Sequence, residues 1–167
     1  TKYKVEHYLE KLDGSGYDLK DTENKTGTTD ETATAVPKSY DGFTYDEEVE
    51  GTVTSGTITG DGKLTLKLYY TRNSYKVTYE YVGEVPADAS ELPAEATYKY
   101  GAEVKVEAEA TAAGYTFSGW SSETVETEEG TFTMPADNVV LKGSFTANTD
   151  TKYKVEHYLE KLDGSGY

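Results

Sequence analysis

The first seventeen residues, Thr1–Tyr17, read TKYKVEHYLEKLDGSGY, and the same seventeen letters return as Thr151–Tyr167. The copies lie 151 − 1 = 150 residues apart. An identical copy at fixed spacing marks a repeat architecture, in which each unit is stabilised by its own core and its contacts with neighbours. The chain therefore reads as one period of a tandem array plus the start of the next. Such arrays supply length or multiplicity rather than a unique catalytic pocket.

A fainter duplication runs inside the period. Tyr3-Lys4-Val5 matches Tyr75-Lys76-Val77, and Gly42-Phe43-Thr44-Tyr45 matches Gly114-Tyr115-Thr116-Phe117. Gly56-Thr57-Ile58 aligns with Gly130-Thr131-Phe132. Leu66-Lys67 and Thr71-Arg72-Asn73 align with Leu141-Lys142 and Thr146-Ala147-Asn148. The order is kept while the offset drifts by a few residues, as loop insertions would cause. This predicts two modules of like fold, residues 1–73 and 74–149. Residues 150–167 are then the first strand and turn of the next repeat.

Within each module the apolar period is two, the mark of half-buried strands. Tyr3, Val5, His7 and Leu9 share one face of the opening strand. Leu64, Leu66, Leu68 and Tyr70 do so before the first boundary. Tyr75, Val77, Tyr79 and Tyr81 open the second module, and Val139, Leu141, Gly143 and Phe145 close it. Thr29–Val36 reads as strand. Pro86–Leu92 is the place for one or two helical turns, with Pro at a first helical position and Pro93 as a stop. The fold class is α+β, strongly strand-dominated.

A unit of this size buries only about 60% of the surface of its unfolded chain, so large amphipathic rings matter to its core. The sequence supplies sixteen tyrosines against four phenylalanines and one tryptophan. There is no cysteine, hence no disulfide and no thiolate chemistry. Formal charge is −15 with a single arginine, Arg72, which opposes binding to nucleic acid or anionic membranes. No run approaches the ~20 apolar residues of a membrane span, and no signal peptide opens the sequence.

YKVEHYLEKLDGSGY, SYDGFTY and SGTITGDGKLTLKLYYTRN in the first half resemble the mucin-binding-protein-like (MucBP) repeats of Gram-positive surface proteins. YGAEVKV, AGYTFSGW and GTFTMPADNVVLKGSF in the second half resemble Listeria–Bacteroides and internalin B-type repeats. The EVPADASELPAEATYKYG insertion is also similar to streptococcal SHIRT repeats. These resemblances imply two tandem β-grasp-like (ubiquitin-like) modules in an elongated arrangement. They imply secretion and attachment to the cell wall in an adhesin-type protein. The first half is longer between Tyr17 and Gly27 than a short MucBP repeat, so mucin binding is not carried over to it.

His7, copied as His157, shares a face with Val5 and Leu9 and has no second histidine or cysteine for a zinc set. It reads as a half-buried structural residue. Asp46-Glu47-Glu48 with Glu50, and Glu123 with Glu126, Glu128 and Glu129, read as solvated loops; weak divalent-ion binding is their alternative use. Trp120, Tyr98 and Tyr100 are the candidates for a ligand-stacking patch, with a core or interface plug as the alternative for Trp120. His7 is the one histidine of the period and Gly-x-Ser-x-Gly is absent, so no catalytic residues and no cofactor are assigned. Asn138 and Asn148 lie where a lysine–asparagine crosslink would need an amide. The expected role is a force-bearing spacer, with neighbouring repeats as partners. The alternative is a module binding a host glycan or surface protein.

Overall fold

Alternating sequence becomes strand as far as Ala147 in the computed structural model, which describes residues 1–167 and contains thirteen strands and no helix. The first half holds β1 (Lys2–Glu10), β2 (Tyr17–Thr26), β3 (Thr32–Thr34), β4 (Phe43–Tyr45), β5 (Ser55–Thr57) and β6 (Thr65–Arg72). Its main sheet has the order β2-β1-β6-β4. β1 and β2 form an antiparallel hairpin around the Asp13–Gly16 turn, with a register shift between His7 and Tyr8. β1 and β6 pair in parallel, from Lys4 opposite Thr65 to Leu9 opposite Tyr70. β3 and β5 make a separate antiparallel ribbon.

The alternation decides which face is covered. Val5, Leu66, Leu68 and Tyr70 are buried and pack with Ala33, Ala35 and Ile58 from the ribbon region. Each fully buried leucine or valine contributes about 1.5–3 kcal/mol relative to exposure.

The second half holds β7 (Ser74–Tyr81), β8 (Ala96–Lys99), β9 (Glu103–Lys105), β10 (Tyr115–Phe117), β11 (Thr131–Thr133), β12 (Val139–Gly143) and β13 (Phe145–Ala147). β7 is flanked by β8 and by the parallel strand β12. β10 pairs with β13, as β4 pairs with β6. The small ribbon is now β9 with β11. Its core is a separate cluster of Val77, Tyr79, Val104, Ala110, Trp120, Phe132, Met134, Val139 and Leu141.

One difference separates the two sheets. In the first half β6 is continuous. In the second it is broken at Ser144 into β12 and β13. Strand pairing sets Gly143 opposite Tyr81, where Tyr70 lies opposite Leu9, yet Phe145 takes the place of Tyr70 opposite the β10 strand. Leu66 therefore corresponds to Val139 rather than to Leu141, and two residues are inserted before Thr146. Ser118 braces the break, accepting from the Ser144 N–H at 2.9 Å and donating its own N–H to the Ser144 carbonyl. Gly143 is needed there, because a Cβ would come within 2.2 Å of the Phe117 ring.

The helical part of the α+β expectation is corrected: the chain is all-β. Pro86–Leu92 contains one tight turn, closed by Ala89 N–H to the Pro86 carbonyl. Its other polar groups are engaged across the fold. Ser90 N–H donates to the Thr111 carbonyl, the Ser90 carbonyl accepts from Tyr81 Oη, and Asp88 accepts from Ala113 N–H. These partners replace the i to i+4 bonds that a helix would need. Thr32–Thr34 is strand, as the alternation indicates.

Thr151–Tyr167 repeats the β1 sequence without its structure. Residues 151–161 form no strand, and Tyr153 and Leu159 are each 88% exposed. Only the turn is kept: Lys161 N–H bonds the Gly166 carbonyl, as Lys11 N–H bonds that of Gly16.

Candidate functional site: the joint between the two halves

β6 ends at Arg72 and β7 begins at Ser74, so a single residue, Asn73, joins the two halves. Its polar groups are divided between them. Its N–H donates to the Gly42 carbonyl and its Oδ1 accepts from Thr44 Oγ1, both in the first half. Its carbonyl accepts from Tyr100 N–H in the second half.

Arg72 sits beside it and spans the joint. Its Nε and Nη2 donate to the Glu10 carbonyl at 3.2 and 2.9 Å, and its Nη1 donates to the Tyr100 carbonyl at 2.8 Å. The guanidinium lies 4.7 Å over the Phe43 ring and 6.0 Å from that of Tyr100. A planar cation can stack and donate in several directions at once, which a lysine ammonium cannot do. The Phe43 and Tyr100 rings meet edge to face at 5.7 Å. Gly42 has φ of +79°, and a Cβ there would come within 2.2 Å of the Tyr100 ring. The two halves therefore touch through backbone as well as side chains.

Glu10 completes the joint. Its carboxylate accepts from Arg72 N–H at 2.8 Å and from Lys99 Nζ, in the second half, at 3.0 Å. Burial pushes this carboxyl up, but the Arg72 N–H, the Lys99 hydrogen bond and the two positive charges together outweigh it. The group is held below the usual carboxylate range.

The three aromatic candidates are placed differently from one another. Trp120 is 8% exposed, belongs to the second core and donates its Nε1–H to the Ala108 carbonyl at 3.0 Å. It stacks on Tyr81 and meets Tyr79 and Phe117 edge-on. Tyr98 is half-buried opposite Tyr75 on β8. Tyr100 lies in the joint. The three do not form one exposed patch.

A cluster that sequence reasoning passed over lies on the outer face of the first sheet. Tyr8 and Tyr69 stack at 5.0 Å, and Tyr17 meets Tyr69 edge-on at 5.1 Å. Tyr8 donates to Glu6, a bond that, with burial, pushes the phenol up to about 12. The alternation of β1 and β6 puts Tyr8 and Tyr69 on this face, but their pairing follows only from the parallel register.

His7 is fully buried rather than half-buried. Tyr70 Oη accepts from Lys38 N–H at 2.9 Å and lies 2.8 Å from His7 Nδ1, while His7 Nε2 lies 2.8 Å from Glu23 Oε1. The set that satisfies every partner has Tyr70 donating to Nδ1 and Nε2–H donating to Glu23. The histidine hydrogen bond, with Lys25 and Lys38 nearby, holds the Glu23 carboxyl below its usual range against its desolvation. Both ring nitrogens are thus engaged in structure.

The acidic runs lie in loops. Glu47, Glu48, Glu50, Glu123, Glu126, Glu128 and Glu129 are all exposed, and no group of three or more acidic or histidine side chains converges as a metal set. An open hollow of about 460 Å³ is lined by Glu103, Glu126 and Glu128 beside Val125 and Phe132. Asn138 Oδ1 accepts from Lys76 N–H, and Asn148 Oδ1 from Thr116 Oγ1.

Duplicated strands and repeated sequence define a tandem repeat protein. Residues 75–149 match the family model of the divergent InlB B-repeat domain, the kind of repeat that the second-half motifs resemble. Solved structures similar to the chain include two described as repeats. One is SHIRT domains 3–4 of a streptococcal cell surface protein, 20% identical, covering 87% of this chain and 99% of that one, with a TM-score of 0.28. Another is Mub-RV, 15% identical over 88% and 98% of the two chains, TM-score 0.28. A third is the type 2 repeat of the mucus binding protein MUB from Lactobacillus reuteri, 15% identical over 88% and 99%, TM-score 0.26. No match was found among curated proteins.

Proposed function

We propose that this chain is a non-catalytic length unit of a bacterial surface adhesin, carried outside the cell on the wall. Residues 1–73 and 74–149 are its two modules, each a helix-free relative of the β-grasp order, and residues 150–167 begin the next. Set end to end, they form a stalk that bears force.

The observation that carries this reading is the parallel pairing of β1 with β6 and of β7 with β12. In each module the backbone comes in at one end of the sheet and leaves at the other. A nine-residue strand such as β1 spans about 30 Å, so each module adds a step of that order to the reach of the array. Tension applied through the ends shears the β1–β6 hydrogen bonds together rather than parting them one by one. The acidic surface keeps a strand-rich array apart from its neighbours.

Solution scattering tests the shape. The expected particle is rod-like, with a longest dimension of at least about 60 Å from two modules in line. A compact, folded-back pair would sink the proposal.

The alternative, binding of a host glycan or surface protein, would gain from array multiplicity. Against it, Trp120 is committed to the core and Tyr100 to the joint. Specific retention on a glycan array, abolished by substitutions on the Tyr8–Tyr17–Tyr69 face, would turn the choice towards it.

A further inference from the structure

We infer that the array contains two kinds of joint in strict alternation, a stiff one inside each repeat and a compliant one between repeats. The inference rests on the stalk reading for its setting, while its grounds are the joint residues themselves.

Strand pairing fixes the equivalences. Phe43, Thr44 and Tyr45 oppose Arg72, Thr71 and Tyr70, as Tyr115, Thr116 and Phe117 oppose Ala147, Thr146 and Phe145. Ala147 therefore stands where Arg72 stands. Asn148 keeps half of the role of Asn73: its N–H donates to the Gly114 carbonyl and its Oδ1 accepts from Thr116. The other half of that role falls to a different residue. Asn73 accepts from Tyr100 N–H, and the matching bond at the start of a repeat runs from Gly27 N–H to the Thr1 carbonyl. The copy of Thr1 is Thr151, three positions beyond Asn148. One residue does both jobs at the first joint. At the second, Asn148 and Thr151 do one each, with Thr149 and Asp150 between them.

The cross-joint contacts are missing from the second joint by sequence. Glu10 corresponds to Val82, and Arg72 to Ala147. Lys99 and Tyr100 correspond to Thr26 and Gly27, by the matched hairpins. No carboxylate, guanidinium or ammonium remains at these positions, and the Tyr100 ring that packs on Phe43 has no counterpart to pack on Tyr115. A side chain at position 27 would have to displace the Ile58 side chain, since a Cβ there comes within 2.4 Å of Ile58 Cδ1.

The chain lacks cysteine, so spin labels can be placed at will. Repeating residues 18–73 after Tyr167 completes the third module. Labels at Lys20 and Glu91, both exposed, span the first joint. Labels at Glu91 and at the second copy of Lys20 span the second joint. Pulsed dipolar spectroscopy should give a narrow distance distribution for the first pair. The second should be about twofold wider or more, because Thr149 and Asp150 lie unanchored between Asn148 and Thr151, whereas Asn73 is anchored on both sides. Arg72→Ala should widen the first distribution towards the second, and Tyr100→Gly supplies an independent loosening. Trp120 fluorescence and the circular dichroism spectrum verify that each variant is folded. Equal widths at the two joints, or folded Arg72→Ala and Tyr100→Gly chains with an unchanged first distribution, would overturn the alternation. The stalk reading fails separately, through short mean distances at both joints whatever their widths.

Discussion

Tyr70 holds two segments through one oxygen, accepting from Lys38 N–H and facing His7 Nδ1. Tyr70→Phe keeps the ring and strands both partners, so chemical denaturation should show a loss of about 1–3 kcal/mol. Acid should act through Glu10 and Glu23. Both carboxyls are held below their ordinary value in the folded chain. Their contribution is therefore complete above the unfolded value, about 4.3 for a glutamate, and is lost as pH falls through the depressed folded values. Thermal melts should fall across that acid window. Glu10→Gln, which removes one of these depressed carboxyls while leaving Arg72 and Lys99 in place, should show a shallower fall. An unchanged slope would remove Glu10 from the account. The face of His7 was legible from alternation with Val5 and Leu9. Its partners were not, because Glu23 reaches it through the hairpin register and Tyr70 through a parallel pairing 63 residues away.

Within the seventeen repeated residues, Lys2–Glu10 form a central strand while the identical stretch at 152–160 forms none. Local propensity is the same in both, so the difference comes from β2 and β6, which flank β1 on either side. A lone segment cannot offset its ordering entropy. The turn needs no neighbours and survives in both copies. Cutting the chain after Asp150 should leave the melting temperature unchanged in a calorimeter; a drop of several degrees would mean that the tail contributes to a core. Alternation made the opening and closing strands of each half readable from sequence because each sheet buries one face. The break at Ser144 was not readable, since Val139, Leu141, Gly143 and Phe145 alternate without interruption through it. The helical reading of Pro86–Leu92 failed for a related reason: the partners of Ser90 and Asp88 lie on distant segments.

Two cores with no shared residue make two stabilities, and the single tryptophan lies in the second. Leu66→Ala should cost the first module about 2–5 kcal/mol. In urea the far-ultraviolet signal should then lose part of its amplitude early, while the Trp120 fluorescence midpoint stays close to that of the parent. Coincident shifts of both signals would show that the halves unfold as one. The reading of a duplication rests on residue order that is kept across the period. The chemistry of the boundary lay hidden in four residues, Glu10, Arg72, Lys99 and Tyr100, which are scattered along the chain and meet only when both sheets have formed. The parallel pairing of β1 with β6 has a consequence for how the molecule comes into being. On the ribosome the opening strand of each bead must wait for the closing strand, some sixty residues behind it, before the sheet can lock. The first sheet can therefore close before the last strands of the second have emerged, so the two halves of the chain are completed in order of synthesis.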